Sequence, residues 1–284
     1  MEKIIISCEA TCDLPKYLAE QYDIKIIDMN FLIDDESYST KDNTVASTSL
    51  YYKMKKGSKT STSQINIQLY EDYFENLVKY NNVIHIGFSS GLSDTYNSAL
   101  QASKTVNARN AHKVFVIDSL CACSGQGLLA ILARQYSENT TDINKLIEYI
   151  EKTKMKINSN FTVDNLKYLA NGGRLKTSSA IIGNILNIKP VMKVDNDGHL
   201  IVVNKVLSRK KSLLALYNKI YSGLTDESEL IIISHADSEE DANFIADLLK
   251  TNLNKTPIIT DLGPVIGSHS GPGTIAIFYV GKER

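Results

Sequence analysis

The sequence predicts an α/β protein of two domains, the first with a parallel, doubly wound sheet and the second with a mixed α/β sheet. Three observations carry that expectation. In the first half, short apolar runs alternate with helix-length segments, as in a parallel sheet covered on both faces. Near residues 155–160 the alternation gives way to a hairpin pattern, which places domains at 1–157 and 158–284. The 284 residues suffice for two such cores.

The elements follow in order. "KIIIS" reads as a strand and "PKYLAEQY" as a short helix with Pro15 in its first turn. "IKIIDMNFLID" is strand-like, and "TSLYYKMKKG" is helical up to Gly57. "IQLYEDYFENLVKY" repeats Leu69, Tyr73, Leu77 and Tyr80 at helical spacing. The strand "NVIHIGFSS" precedes the helix "DTYNSALQASKTV", and the strand "KVFVID" precedes the helix "GQGLLAILARQY". After the helix "DINKLIEYIEKTKMK", two apolar runs flank Asp195-Asn196-Asp197-Gly198, a hairpin signal. The DxDG there lacks the remaining ligand positions and terminal Glu of a calcium loop, so no metal site is expected. "ELIIISHA" and "TPIITDLG" bracket the helix "SEEDANFIADLLKTNL", and the strand "GTIAIFYVG" comes last.

Composition narrows the function. The net charge of −1 gives no basic field for nucleic acid. No run approaches the ~18 apolar residues of a membrane span, and "MEKIIISCEA" is too short for a signal peptide, so a cytoplasmic protein is expected. Cys8, Cys12, Cys121 and Cys123 lack zinc-site spacing and are expected to be buried free thiols.

Three constellations could carry chemistry. "GFSSG", Gly87–Gly91, fits the nucleophile elbow GxSxG between a strand and a helix. Ser89, an acid at Asp237 or Asp261, and His269 run in the chain order of an α/β-hydrolase, so a serine esterase is the alternative reading. "GQGLLA", Gly125–Ala130, fits GxGxxA, but six residues separate it from its strand and no acidic strand end follows. Close packing by the glycines is expected instead, and no Walker sequence occurs. Finally, "KTSTSQ" (Lys59–Gln64) and "SSGLSDTY" (Ser89–Tyr96) read as hydroxyl-rich loops before helices, where N–H groups favour an anion. With His269 they offer donors suited to a carboxylate.

Six ordered motifs add to this. "DLP" (Asp13–Pro15), "TSQ" (Thr62–Gln64), "SSGLSDTYNSA" (Ser89–Ala99), "NLKYLANGGRL" (Asn165–Leu175), "LNIKPVMKVDNDG" (Leu186–Gly198) and "LGPVIGSHSGPGTIAI" (Leu262–Ile277) resemble the DegV family of bacterial fatty-acid-binding proteins across residues 3–282. The chain is similar to FakB, the lipid-binding subunit of bacterial fatty acid kinase. The resemblance implies a two-domain fold with a palmitate- or oleate-like chain in a tunnel between the domains. It implies a non-catalytic, cytoplasmic carrier, monomeric and without a cofactor, that partners a kinase subunit and makes at most transient membrane contact.

By the same resemblance Thr62, Ser93 and His269, with Ser63 close by, hold the carboxylate. Arg174 and Arg209 match positions that face the kinase or the acyl phosphate. The sequence departs from the family at Glu9 and Ala10 in place of Asp and Ser, at Ile65 in place of proline, and at Asp94 in place of glycine. A buried acyl chain is worth ~0.8 kcal/mol per CH₂, so the tail sets affinity and the head-group residues set orientation. The apolar-faced segment 178–188 is expected to wall the tunnel.

Overall fold

The computed structural model describes residues 3–41, 47–175, 188–225 and 228–284. The chain opens with β1 (Ile5–Glu9), a 3-10 turn at Ala10–Cys12, α1 (Lys16–Gln21) and β2 (Ile24–Ile27). There follow β3 (Asn30–Ile33), β4 (Glu36–Ser39), α2 (Ser47–Lys55), β5 (Thr60–Thr62) and α3 (Ile67–Leu77). Next come β6 (Val83–Gly87), α4 (Thr95–Arg109), β7 (Val114–Asp118), α5 (Ser124–Ser137) and α6 (Ile143–Lys154). The second half holds β8 (Ile157–Thr162), α7 (Lys167–Asn171), β9 (Ile188–Val194), β10 (Leu200–Leu207) and α8 (Arg209–Gly223). It continues through β11 (Ile231–His235), α9 (Glu239–Leu253), β12 (Ile258–Asp261), α10 (Pro264–Ser270) and β13 (Ile275–Val280).

Two main sheets result. The first is all parallel, in the order β2-β1-β6-β7. Its inner strand β6 is buried at every position, which is why it reads as an apolar run broken only by His85. The second is mixed, in the order β10-β9-β8-β13-β11-β12, with β11 and β12 parallel and the other neighbours antiparallel.

A small antiparallel sheet, β4-β3-β5, was not expected. The run 24–34 breaks at Asp28, whose carboxylate accepts from Thr40 Oγ1 while that hydroxyl accepts from Met29 N–H. The break sends β2 and β3 into different sheets. The segment 60–62, read as a loop before a helix, is strand β5 in that small sheet. The expected wall segment 178–188 lies outside the described residues except for Ile188, which opens β9.

Helix α5 joins the two main sheets. Nine of its residues are buried, and a helix apolar nearly all round has to be enclosed. A Cβ on Gly125 would stand 2.9 Å from Ser159 Oγ and 3.0 Å from Phe278 of the second sheet. A Cβ on Gly127 would stand 2.7 Å from the Cys12 carbonyl on the other side. The two glycines of "GQGLLA" therefore let α5 approach both walls, as the sequence led us to expect. All four cysteines are buried and free. No described helix is long and apolar enough to cross a membrane.

Candidate functional site

A cavity of about 550 Å³ lies between the two main sheets, within the usual range for small-molecule sites. Phe88 and Leu92 reach it from the first sheet's side, Phe161, Ala276 and Phe278 from the second sheet, and Ile266 from α10. Its lining is largely apolar, and its hydroxyl, imidazole and guanidinium groups include Thr62, Ser63, Ser93, His269 and Arg174.

Four of these five are tied down by specific contacts. Thr62 Oγ1 and His269 Nε2 lie 2.7 Å apart, joining β5 to α10. His269, expected in a glycine-rich loop, sits in the last turn of α10, a helix opened by Pro264 at its first position. Burial, and then the charge of Arg174, push the imidazole down to about 4, so it is neutral at neutral pH. Its ring packs on Gly172, where any side chain would collide with Nδ1. Gly173 follows with φ +71, and this left-handed turn sends Arg174 back to the cavity mouth.

Arg174 Nε donates to the Leu92 carbonyl at 3.2 Å, and its Nη1 donates to the Gly172 carbonyl. Burial lowers its pKa, and no other side chain can deprotonate a guanidinium at neutral pH, so it remains a cation. Ser93 Oγ accepts from Thr95 N–H at 3.2 Å and donates to Thr95 Oγ1 at 2.9 Å, opening α4. Ser63 lies beside Thr62 at the exposed rim. Arg209 is not brought to the cavity: its Nε donates to Asp241 at 2.8 Å, and its Nη1 lies 3.6 Å from Asp164.

The nucleophile-elbow reading fails on geometry. Ser89 is fully buried, and its Oγ donates to the Gly198 carbonyl at 2.8 Å rather than to an imidazole. A Cβ on Gly91 would stand 2.7 Å from the Asp197 carbonyl, so this loop clasps the β9–β10 turn. Asp237 pairs with Lys55 at 2.6 Å, and Asp261 lies 3.7 Å from His235; neither orients His269. Asp195, Asp197 and His199 gather near the same turn. There Asp195 Oδ1 already accepts from the Asp197 and His199 N–H groups, the work of a hairpin turn.

Two departures from the family pattern find a physical reason. Ile65 is 3% exposed and packs in the core with Tyr70, Phe74 and Val265, anchoring the segment that follows Thr62. Glu9 is fully buried and lies in a hydrogen-bond network. Its Oε1 accepts from Tyr70 Oη at 2.6 Å and faces His85 Nε2 at 3.1 Å, while its Oε2 accepts from Phe88 N–H at 3.0 Å. Gln126 Nε2 donates to the same Oε2, and Gln126 Oε1 accepts from Thr11, a residue of the cavity wall. Burial would raise the Glu9 pKa, but the His85 charge and the hydrogen bonds from His85 and Tyr70 hold it below the usual value. Nothing in the sequence pattern announced this network. Asp94 stays exposed, its Oδ1 held by Asn97 at 2.6 Å.

A second cleft of about 540 Å³, lined mostly by polar residues, adjoins the cavity. It shares Thr62, Arg174 and His269 with the apolar cavity and adds Lys59, Lys167 and Asn171. The same three residues thus face both compartments.

A family model described as DegV matches residues 3–282. The chain belongs to the DegV family. It is 35% identical over 289 residues to a DegV domain-containing protein of Clostridium perfringens, covering 100% of this chain and 99% of that one. Among solved DegV structures, the fold matches DegV, a fatty acid binding protein from Bacillus subtilis, with TM-score 0.86 and 29% identity over 99% of this chain and 100% of the other. It also matches a DegV lipid binding protein from Thermotoga maritima with TM-score 0.84 and 30% identity, over 99% of each chain.

Proposed function

We propose that this DegV protein binds a long-chain, palmitate- or oleate-like fatty acid and presents its carboxylate to a partner fatty acid kinase. The tail occupies the apolar cavity, and Thr62, Ser93, His269 and Ser63 receive the carboxylate. The observation that carries this reading is the sharing of Thr62, Arg174 and His269 between an apolar cavity and an adjoining polar cleft. A carboxylate at that boundary has its tail dry and its oxygens open to a second protein. The fatty-acid and lipid binding of the Bacillus and Thermotoga relatives supports the ligand class.

The energetics fit. Sixteen carbons contribute on the order of 10 kcal/mol at ~0.8 kcal/mol per CH₂, before the costs of association. Each charge-assisted hydrogen bond adds ~1.5–3 kcal/mol, which orients the acid more than it retains it. The neutral His269 can donate through Nε2 to Thr62 Oγ1, which frees the Thr62 hydrogen for the carboxylate. The Arg174 cation offsets the anion without a metal. In the kinase step a carboxylate oxygen attacks the γ-phosphorus of ATP held by the partner; the β–γ bridging bond breaks, leaving acyl phosphate and ADP. The carrier itself supplies no cofactor and works as a monomer.

The test is to load the protein with palmitate, add a fatty acid kinase catalytic subunit and ATP, and trap acyl phosphate as its hydroxamate. The reading expects product only with all three components present. Arg174→Glu should lower the yield more than it lowers palmitate retention. Tight ATP binding by this chain alone would contradict the division of labour.

A further inference from the structure

Among the described residues, two buried hydroxyls on the cavity wall have no hydrogen-bond partner in the protein: Ser270, next in the chain to His269 and so at the carboxylate end, and Ser159. Ser159, on β8, is 3% exposed and lines the cavity, and its Oγ has no hydrogen-bond partner in the protein. The groups around it are already engaged. Gly125, which packs against Oγ, donates its N–H to the Ala122 carbonyl, and Gln126 N–H is used on Cys123. Two other polar side chains of the wall are committed elsewhere: Thr11 donates to Gln126, and the Cys123 thiol is hydrogen-bonded to Asp13. Ser159 therefore keeps an unmet donor in the wall of an apolar space, where an unmet hydroxyl is costly and an apolar residue of the same size would not be.

Its position is remote from the carboxylate end. Helix α10 ends at Ser270, just after His269, and Thr274 Oγ1 donates back to the Gly271 carbonyl at that end. Ser159 pairs in register with Phe278, four residues further along the chain. At the strand rise of ~3.3 Å per residue, that is roughly 13 Å along the strand direction from Thr274.

We infer that the cavity takes an acyl chain carrying an oxygen function, a hydroxyl or keto group, in its distal half, with Ser159 as the donor to that oxygen. The inference rests on the proposed fatty-acid reading and narrows its substrate class to oxygenated chains. Such a chain keeps the apolar contacts of a plain one and satisfies the buried Ser159 hydroxyl, which a plain chain leaves unmet.

The experiment uses the full chain stripped of lipid. Stearate and a set of stearates hydroxylated at mid-chain or nearer the terminal methyl compete for binding to the wild type, Ser159→Ala and Ser159→Cys. The expected result is that for at least one isomer the affinity ratio of hydroxystearate to stearate falls about three- to tenfold in Ser159→Ala. Stearate itself should bind the variant as well as or better than the wild type, and Ser159→Cys, a weaker donor of similar size, should give an intermediate ratio. A ratio unchanged across every isomer in both variants overturns this inference alone. Failure of the wild type to bind stearate and all the hydroxystearates overturns the fatty-acid reading and this inference together.

Discussion

Thr62 Oγ1 and His269 Nε2 stand 2.7 Å apart although 207 positions separate them in the chain. The contact exists because β5 lies beside the helix that carries His269, and Thr60 Oγ1 donates to the Ser268 carbonyl of that same helix at 3.0 Å. One hydroxyl and one neutral imidazole then form a relay at the boundary of an apolar and a polar compartment. If that relay reads a carboxylate, Thr62→Val and His269→Ala should each lose ~1–3 kcal/mol of preference for palmitate over its methyl ester. The double variant should lose less than the sum, since the two groups share one bond. Competition binding with the acid and the ester checks this; intact preference in both single variants would make the pair mere packing.

The imidazole should also register the ligand. Burial and the Arg174 charge hold His269 at about 4, below the ordinary imidazole value of 6.5. The unfolded chain takes up this proton below about 6.5, while the folded, ligand-free protein resists until about 4. The contribution of His269 to stability is thus complete above 6.5, declines as pH falls through that interval and levels off below 4. An added carboxylate favours the imidazolium, so palmitate should move the NMR titration midpoint upward. A midpoint near 6.5 without ligand, or no movement with it, would contradict the geometry.

Ser89 should behave as a structural latch. Removing its hydroxyl leaves the buried Gly198 carbonyl without that donor, at ~1–3 kcal/mol. Urea unfolding of Ser89→Ala should show a lower midpoint with an unchanged slope. A fluorophosphonate probe should leave the wild type unlabelled; stable labelling at Ser89 would revive the esterase chemistry that the Ser89–Gly198 bond argues against.

Much of this was legible in the sequence, and the exceptions share causes. β1, β6 and β7 announced themselves as apolar runs because both faces of their sheet are covered. β8 did not, since Asn158, Ser159 and Asn160 interrupt it with polar residues, although it lies between β9 and β13 in the larger sheet. The three-residue β5 and the helix α10 were missed because serine, threonine and glycine mark turns more often than regular elements. The motifs brought Thr62, Ser63, Ser93, His269 and Arg174 together, and all five line one cavity. Arg209 came from the same family resemblance but lies elsewhere, held by Asp164 and Asp241, a contact no local pattern encodes. Ser89 illustrates the opposite hazard: a short motif whose serine serves a turn 109 positions away.

The Glu9 network should matter to the fold more than to the ligand. Glu9→Ala strips a buried carboxylate from His85, Tyr70 and Gln126, and breaking such a pair typically costs ~3–5 kcal/mol. Glu9→Gln keeps the shape and should lose less. Denaturant unfolding of the two variants checks the order; equal stability of Glu9→Ala and the wild type would mean that the network is idle.

The most direct test of the central claim is lipid mass spectrometry on the purified protein after denaturation. The account predicts a long-chain fatty acid near one per chain, or its stoichiometric uptake when palmitate, oleate or a hydroxystearate is added to stripped protein. Finding no bound fatty acid and no uptake of any of the three would contradict it.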